Sequence, residues 1–375
     1  MPFKDVTVND LRREFVTFAL QDGVNMRALC KRYGISPTHG YGLVQRARAE
    51  GVDSVTIRSR RPQTSPHQTP PEIEAIIVDL RHEHPDWGAR TIRAWMQQRS
   101  LAAPAASTIT TILHRYGLIH PEATRQHRPI IRFERDEPNE LWQMDYLGHK
   151  PMQKGRVHPL TIIDDHSRFG LTLTACANET RETVWPILMD CMERYGMPWA
   201  ILSDNGAPWG NSFRALTVID VRLIQLGIKP IHGRPIHPQT QGKVERWHST
   251  ISRVVFGPVP YRNLAAVQDA FDAFLVCYNT ERPHQALDYD VPIQRYRPST
   301  RSLPTRIEPP IYDDDVDVRK VRQAGEIHFQ GLRWRISESL AGEWVALHPT
   351  MIDGEWEVYY YNHCVRIINL QDRKV

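Results

Sequence analysis

Residues 140–150 read ELWQMDYLGHK, and the reading of this stretch decides the fold. Leu141, Trp142, Met144, Tyr146 and Leu147 make an apolar run that Gly148 closes, so the stretch reads as a core strand. Asp145 stands in the middle of it. A carboxylate in a core strand is costly unless it is paired, exposed at the sheet face or bound to a metal ion.

Two further strands follow, VHPLTIIDDHS (157–167) and RFGLTLTA (168–175), and their short connections favour an antiparallel meander. ETRETVWPILMDCMERYG (179–196) is a helix, and PWAILSDNG (198–206) is a buried strand ending in a polar loop. A helix is expected around 212–226, then a short strand in IKPIHGR (228–234). QGKVERWHSTISRVVF (241–256) and LAAVQDAFDAFLVCYNTERPH (264–284) are helices. Strands first, then alternating helices and strands, predict an α/β unit with a mixed five-stranded sheet covered by helices.

The N-terminal side is helical. LRREFVTFALQDG (11–23) has apolar residues at helical spacing, and residues 25–51 give a short helix, a Gly34-Ile35-Ser36-Pro37 turn and a second helix. This suggests helix-turn-helix, with Arg46 and Arg48 on the second helix available to phosphates or base edges. A small helical bundle with a solvated basic face is the plainer reading. PEIEAIIVDLRHEHP (71–85), GARTIRAWMQQRS (88–100) and AASTITTILHRYG (105–117) repeat the pattern, with Pro71 at a helix start and Ser107 or Thr108 expected to cap the third helix. Residues 57–71 form a proline-rich basic linker with Arg58, Arg60 and Arg61 suited to a DNA backbone.

Downstream of a linker at 300–317, EIHFQGLRWRI, EWVALHPT and EWEVYYYNHCVRIINL are strand-like, with turns at Gly331, Gly342 and Gly354. A small β-barrel or sandwich is expected there. The full expected order is a helix-turn-helix domain at 1–56, a linker at 57–71, a second helix-turn-helix domain at 72–120, a linker at 121–138, the α/β domain at 139–299, a linker at 300–317 and the small β domain at 318–375.

Composition narrows the function class. The net charge of +4 names no partner, but it is unevenly spread. Residues 1–136 hold 20 Lys/Arg against 14 Asp/Glu, a net of +6, and the rest hold 27 against 29, a net of −2. The basic excess lies where a nucleic-acid footprint is expected. Cys30, Cys176, Cys191, Cys277 and Cys364 are scattered and form no CxxC pair, which argues against a zinc finger or a disulfide framework and for reduced thiols in a cytoplasm. Without a signal core or a membrane-length apolar run, a soluble cytoplasmic, nucleoid-associated protein is expected.

Three carboxylates stand at telling places: Asp145 in its strand, Asp204 where AILS ends, and Glu245 in the helix of 241–256. Asp204 in Asp-Asn-Gly also suits a plain turn. On a helical projection centred on Glu245, Val244, Ile251 and Val255 cluster near roughly −80° to −120°, whereas Arg246 and Arg253 lie near roughly +80° to +100° and Lys243 near roughly +160°. Glu245 thus sits on the seam between a core stripe and a basic face. His237, Lys243 and Arg246 are the bases around it that could hold DNA. Three acids can hold two divalent cations, and Mg²⁺ and Mn²⁺ favour such oxygen ligands. Two ions about 3.5–4 Å apart activate a nucleophile and stabilise the leaving oxygen of a phosphodiester. Asp164 and Asp165 compete for the acidic role but suit a strand-corner turn, with Asp165 pairing Arg168. Asn205 suits an Asn-Gly turn, Trp142 and Trp247 suit core packing, and Arg282 and His284 are left open.

In this order LWQMDYLG, ILSDNG and HPQTQGKVERWH resemble the DDE transposases and retroviral-type integrases. YNTERPHQAL (278–287) is similar to the segment that follows the glutamate in bacterial insertion-sequence transposases, and IIDDHSRF (162–169) to their strand corner. The likeness covers about residues 137–300. It implies an RNase H-like catalytic fold, catalytic and metal-binding roles for Asp145, Asp204 and Glu245, Mg²⁺ as cofactor with Mn²⁺ as a substitute, nicking at element ends, and attack of the freed 3′-hydroxyl on target DNA by two-metal-ion chemistry. Joining two element ends to one target in turn calls for a homo-multimer on double-stranded DNA, and no membrane is expected as a partner. Two departures stand out. Forty residues separate Asp204 from Glu245, more than is usual in retroviral integrases, and the histidine-cysteine zinc module of those enzymes is absent. A transposase-derived, catalytically silent DNA-binding regulator and a plain nuclease are the competing readings.

Overall fold

The computed structural model describes residues 7–57, 68–119, 134–204, 206, 216–232, 242–257 and 260–371. The chain divides into two compact units, Met1–Gln68 and Thr69–Val375.

The first unit holds α1 (Val8–Ala19), α2 (Met26–Arg32) and α3 (Pro37–Glu50). Each begins on a side-chain cap, because the first amide hydrogens of a helix lack partners within it. Thr7 and Asp10 form a capping box at α1, Asn25 accepts from Ala28 N at 3.1 Å, and Ser36 accepts from His39 N at 3.3 Å with Pro37 in the first turn of α3. The turn between α2 and α3 runs through Gly34 at φ +64°, a conformation that favours glycine. At Gly40 a Cβ would lie 2.5 Å from Cys30 Sγ, so the close approach of α2 and α3 depends on the missing side chain. Phe15, Val16, Leu43, Val44 and Val55 form the core beneath them.

The second unit opens with α4 (Pro71–Glu83), α5 (Ala89–Gln98) and α6 (Ala106–Arg115), packed around Ile77, Ile92, Met96, Ile109 and Trp87. Pro71 stands at the start of α4. The expected cap of α6 is corrected: the N-cap is Ala105, with no side-chain cap bond, so Ser107 and Thr108 lie inside the first turn.

The sheet that follows is built from β1 (Trp142–Tyr146), β2 (Lys150–Pro151), β3 (Arg156–Asp164), β4 (Gly170–Cys176), β5 (Ala200–Ser203) and β6 (Lys229–His232). β1 pairs antiparallel with β3 and parallel with β5, β3 pairs antiparallel with β4, and β5 pairs parallel with β6. Among the described residues this is the expected mixed five-stranded sheet, in the order β4-β3-β1-β5-β6, with the two-residue β2 added beside β3. Helices α7 (Arg181–Tyr195) and α8 (Val218–Gln225) cover one face, and α9 (Gly242–Val254) and α10 (Leu264–Thr280) the other. Side chains alternate along a strand. Trp142 and Met144 therefore enter the core under α7 and α8, which leaves Gln143 and Asp145 facing the α9 side. Trp142 and Trp247 are both buried, as expected of packing residues. The short helix α11 (Pro292–Arg295) packs against α10.

The C-terminal part does not close into a barrel. β7 (Asp317–Lys320), β10 (Trp344–Pro349), β11 (Glu355–Tyr360) and β12 (His363–Asn369) form an open sheet in the order β12-β11-β10-β7, and β8 (Glu326–Phe329) pairs with β9 (Leu332–Arg335) as a separate hairpin. A barrel needs its end strands to pair, and here β7 and β12 end the sheet. The hairpin closes over the sheet instead, turning at Gln330 and Gly331, both at positive φ as a tight two-residue turn requires. Its core includes Val221 and Ile224 of α8, so the β domain is seated on the α/β unit through apolar contact.

Candidate active site

Three different elements carry the three acids. Asp145 lies on β1, opposite Thr161 of β3. Its Oδ1 accepts the amide hydrogen of Tyr146 at 2.8 Å. Thr161 Oγ1 donates to the Asp145 carbonyl at 2.8 Å and also meets His248 Nε2 at 2.8 Å. His248 Nδ1 stands 4.0 Å from Asp145 Oδ2. Burial holds the His248 ring down to about 4, helped by the charge of Lys150, so near neutrality the imidazole is uncharged.

Asp204 lies one residue past β5. Its Oδ1 accepts from Gly206 N at 2.9 Å, and its carbonyl lies 3.4 Å from His232 Nδ1 on the neighbouring β6. The other ring nitrogen of His232 meets Asp220 Oδ1 at 3.0 Å. Asp220 is itself fixed by the capping box it makes with Thr217 at the start of α8. A Cβ on Gly206 would stand 2.9 Å from Asp204 Oδ2, so glycine is needed for the carboxylate to lie where it does.

Glu245 is exposed on α9, flanked in sequence by buried Val244 and, two residues on, buried Trp247. His248 follows it by three residues, one helical turn, so both side chains lie on the side of α9 that meets β1. Electrostatics links the acids. Burial, then the charge of Asp204, and further on those of Glu179 and Glu245, push the Asp145 carboxyl up to about 7 against the pull of the Tyr146 amide. A carboxylate raised by burial and by neighbouring acids is one that a bound cation would return to its charged form. The donor set is all oxygen, which suits a hard divalent ion such as Mg²⁺ or Mn²⁺. Among the described residues these acids do not form a group whose ligand atoms all lie within 4.8 Å of one another.

The bases sort differently from one another. Lys243 does not stand free beside Glu245: its Nζ is 2.5 Å from Asp165 Oδ1 and its side chain is only 16% exposed. Asp165 also accepts from Gln143 Nε2 at 2.6 Å and from Arg135 N at 2.9 Å, whereas Arg168 pairs with Glu134 at 2.7 Å. The expected Asp165–Arg168 pair is thus replaced by Asp165–Lys243. Asp164 accepts from Asn139 N at 2.7 Å and from Ser167 N and Oγ at 2.7 and 2.6 Å, which holds the strand corner and occupies both of its oxygens. Arg246 is exposed on α9, Arg48 is exposed and Arg46 half-buried on α3. Arg58, Arg60, Arg61, His237 and Asn205 lie outside the described residues. Arg282 pairs with Asp86 of the α4–α5 connection, and the His284 ring packs edge-on against Tyr278 at 4.6 Å.

Sequence reasoning missed several residues around the acids. His248 carried a local signal, a histidine one turn after Glu245. Thr161 and His232 carried none, since cross-strand register brings them in. Asn279 sends its side-chain oxygen to Gly170 N and its amide to Gly170 O, both at 2.9 Å, tying α10 to β4.

Known families match the chain piecewise. The integrase core domain matches residues 135–238 and, as a second family of that description, 226–292. A helix-turn-helix domain matches 11–63, a homeodomain-like domain 40–113, and the IS481 family transposase C-terminal domain 316–375. The Pro-Pol polyprotein of simian foamy virus type 3 is 33% identical over 139 residues, 37% of this chain and 12% of the polyprotein. A 31.7 kDa protein of insertion element IS407 from Burkholderia multivorans is 24% identical over 232 residues, 59% of this chain and 79% of that protein. A simian T-cell lymphotropic virus intasome, solved with PP2A regulatory subunit B56 gamma, aligns over 78% of this chain and 99% of its own with 16% identity and a TM-score of 0.38. The chain therefore spans a small part of the viral polyprotein and most of the insertion-element protein.

Proposed function

We propose that the chain is a DDE transposase of the bacterial insertion-sequence type, which binds the ends of its element, nicks them and joins the freed 3′-hydroxyl to target DNA. The observation that supports this reading is that the carboxyl of Asp145, on β1, feels the charges of Asp204, one residue past β5, and of Glu245, on α9. Asp145, Asp204 and Glu245 would hold divalent ions, Mg²⁺ or in its place Mn²⁺. Bound there, the ions supply activation of a hydroxyl nucleophile and stabilisation of the leaving oxygen.

The chain's own residues supply position. Thr161 and His248 hold the backbone and flank of Asp145, and Gly206 and His232 hold Asp204. Arg246 stands exposed on the polyanion side of Glu245. Arg46 and Arg48 on α3 would meet the element end, with Arg58, Arg60, Arg61 and His237 as further phosphate contacts. Lys243 contributes by tying the first turn of α9 to the β3–β4 corner through Asp165. In the joining step a new phosphorus–oxygen bond to the element's 3′-oxygen forms as the target's own bond to its 3′-oxygen breaks. Two ends joined to one target call for more than one copy of the chain.

The test uses the full chain, Mg²⁺, and DNA carrying the inverted repeats that flank its coding sequence. Nicked ends and strand-transfer products are expected, and Asp204→Asn or Glu245→Gln should remove both while leaving end binding intact. Products that survive Asp204→Asn would remove that residue from the reaction. Tight binding with no products in either Mg²⁺ or Mn²⁺ would favour the silent regulator.

A further inference from the structure

Away from the acidic rim, His84, Cys277 and Glu281 come together where the α4–α6 trio meets the α/β unit. Their ligand atoms all lie within 4.8 Å of one another. Cys277 and Glu281 are four residues apart on and just past the end of α10, hence on one face of the helix. His84 is the residue that ends α4. Its ring is stacked on Trp87, with centroids 4.0 Å apart and planes at 11°, which sets the direction of its nitrogens. Nδ1 then faces Cys277 Sγ at 3.9 Å.

We infer that His84, Cys277 and Glu281 form a Zn²⁺-type metal site that clamps the α4–α6 trio to α10, separate from the ions of the acidic rim. The distance is the first argument. Zinc–sulfur and zinc–nitrogen bonds of about 2.3 and 2.0–2.1 Å sum to about 4.4 Å, so one ion can bridge a separation of 3.9 Å with a bent angle. The donor types are the second. A thiolate with an imidazole selects zinc and similar soft ions, whereas the all-oxygen rim selects Mg²⁺ and Mn²⁺. Access is the third: Glu281 is exposed, Cys277 and His84 are half-buried, and these two line a pocket of about 310 Å³ together with Trp87, Phe274 and Tyr278. Arg282, the cation nearest in sequence, is taken up by Asp86. Three protein ligands leave a position for water, the pattern of an open zinc site. Such an ion would join elements that contact through Cys277 packing on the core of the trio and through Gln98 Nε2 donating to Tyr289 O at 2.7 Å.

Cobalt(II) tests this, since a thiolate bound to it gives a near-ultraviolet charge-transfer band that oxygen ligands do not. Titrating Co²⁺ into the full, chelator-stripped chain should produce that band with a single equivalent, and Zn²⁺ should bleach it. Cys277→Ser should abolish it, His84→Asn and Glu281→Gln should weaken binding by at least about tenfold, the lower end of what changes around metal sites cost, and Asp204→Asn should leave it unchanged. No band in the wild-type chain, or the same band in Cys277→Ser, overturns the site. A second measurement needs no variant: Zn²⁺ should slow alkylation of Cys277, located by mass spectrometry, by at least about tenfold where Mg²⁺ does not. Equal alkylation with and without Zn²⁺ overturns it as well.

Discussion

His248 on α9 and Asp145 on β1 face each other with Nδ1 4.0 Å from Oδ2, while the far nitrogen of the same ring is held by Thr161 at 2.8 Å. One imidazole thus joins the helix that carries Glu245 to the strand that carries Asp145. Its neutral form, favoured by burial, adds no charge of its own to the rim. His248→Ala should therefore disturb the spacing of the two acids more than the binding of DNA. The expected result is a fall of about 10–100-fold in the single-turnover strand-transfer rate, the range seen for groups that orient metal ligands, at an unchanged Kd for element ends. An equal loss in both quantities would make His248 a general structural residue.

Gly206 allows a narrower test. With a Cβ there 2.9 Å from Asp204 Oδ2, Gly206→Ala must push the carboxylate aside. The residue sits in an exposed loop, so stability should change little. A displacement near 1 Å at a reacting centre costs about 10²-fold, and the nicking rate should fall by that order while the urea midpoint stays put. Unchanged nicking would show that the carboxylate has room to move.

Arg46 and Arg48 are the proposed DNA contacts of the first unit. Each phosphate contact that is removed should lower the slope of log K against log salt by about 1. Arg48→Ala, at the exposed position, should therefore weaken end binding and flatten the salt dependence. Titrations at several salt concentrations decide it, and a slope equal to the wild-type value would take Arg48 off the phosphate backbone.

The joint between α10 and β4 should be brittle. A Cβ on Gly170 would lie 2.6 Å from Leu275 Cδ1 and 2.7 Å from Trp247 Cζ2, so Gly170→Ala overpacks a buried layer. Such changes cost about 1–3 kcal/mol. Asn279→Ala strands both backbone groups of Gly170 at a buried site, at about 1–3 kcal/mol for each group left unpaired. Urea unfolding should report a lowered midpoint for both variants, with the slope preserved.

Acid should loosen the second unit. Burial, with the charges of Arg282 and Arg168, holds the His284 ring down to about 3 against its ordinary 6.5. The unfolded chain then binds this proton more readily than the folded one. The contribution of His284 is complete above about pH 6.5 and is lost as pH falls from there toward about 3. His232 acts in the opposite sense, because its bond to Asp220 raises its pKa and its contribution fades as pH rises through that value. Urea midpoints should drop between pH 8 and pH 5, and less steeply in His284→Asn. Identical pH slopes in the two chains would contradict the buried neutral ring.

Much of this molecule can be read along the chain. The strands at 142–146, 156–164, 170–176, 200–203 and 229–232 match the predicted stretches to within one residue, and the helices at 181–195, 242–254 and 264–280 fall within theirs. In the first unit α2 and α3 lie within the predicted residues, with a positive-φ glycine at Gly34 where the turn was expected, whereas α1 begins at Val8, three residues ahead of its predicted stretch. Periodicity, caps and turn residues act over a few positions, so one sequence suffices to locate them. The same local signals put an acid on β1, an acid after β5 and an acid on the seam of α9.

Folding alone decided what those elements do to one another. Lys243 looked like a free base beside Glu245, yet it is spent on Asp165, seventy-eight residues away. The C-terminal strands looked ready to close into a barrel and instead leave their end strands open, with a hairpin and α8 completing the core. His84 and Cys277 lie 193 residues apart, a spacing that no metal-binding pattern would have flagged. Pairings of this reach depend on sheet order and on which helix face meets which strand face. Those are settled by burying apolar surface across the whole unit, a condition that no short stretch of residues contains.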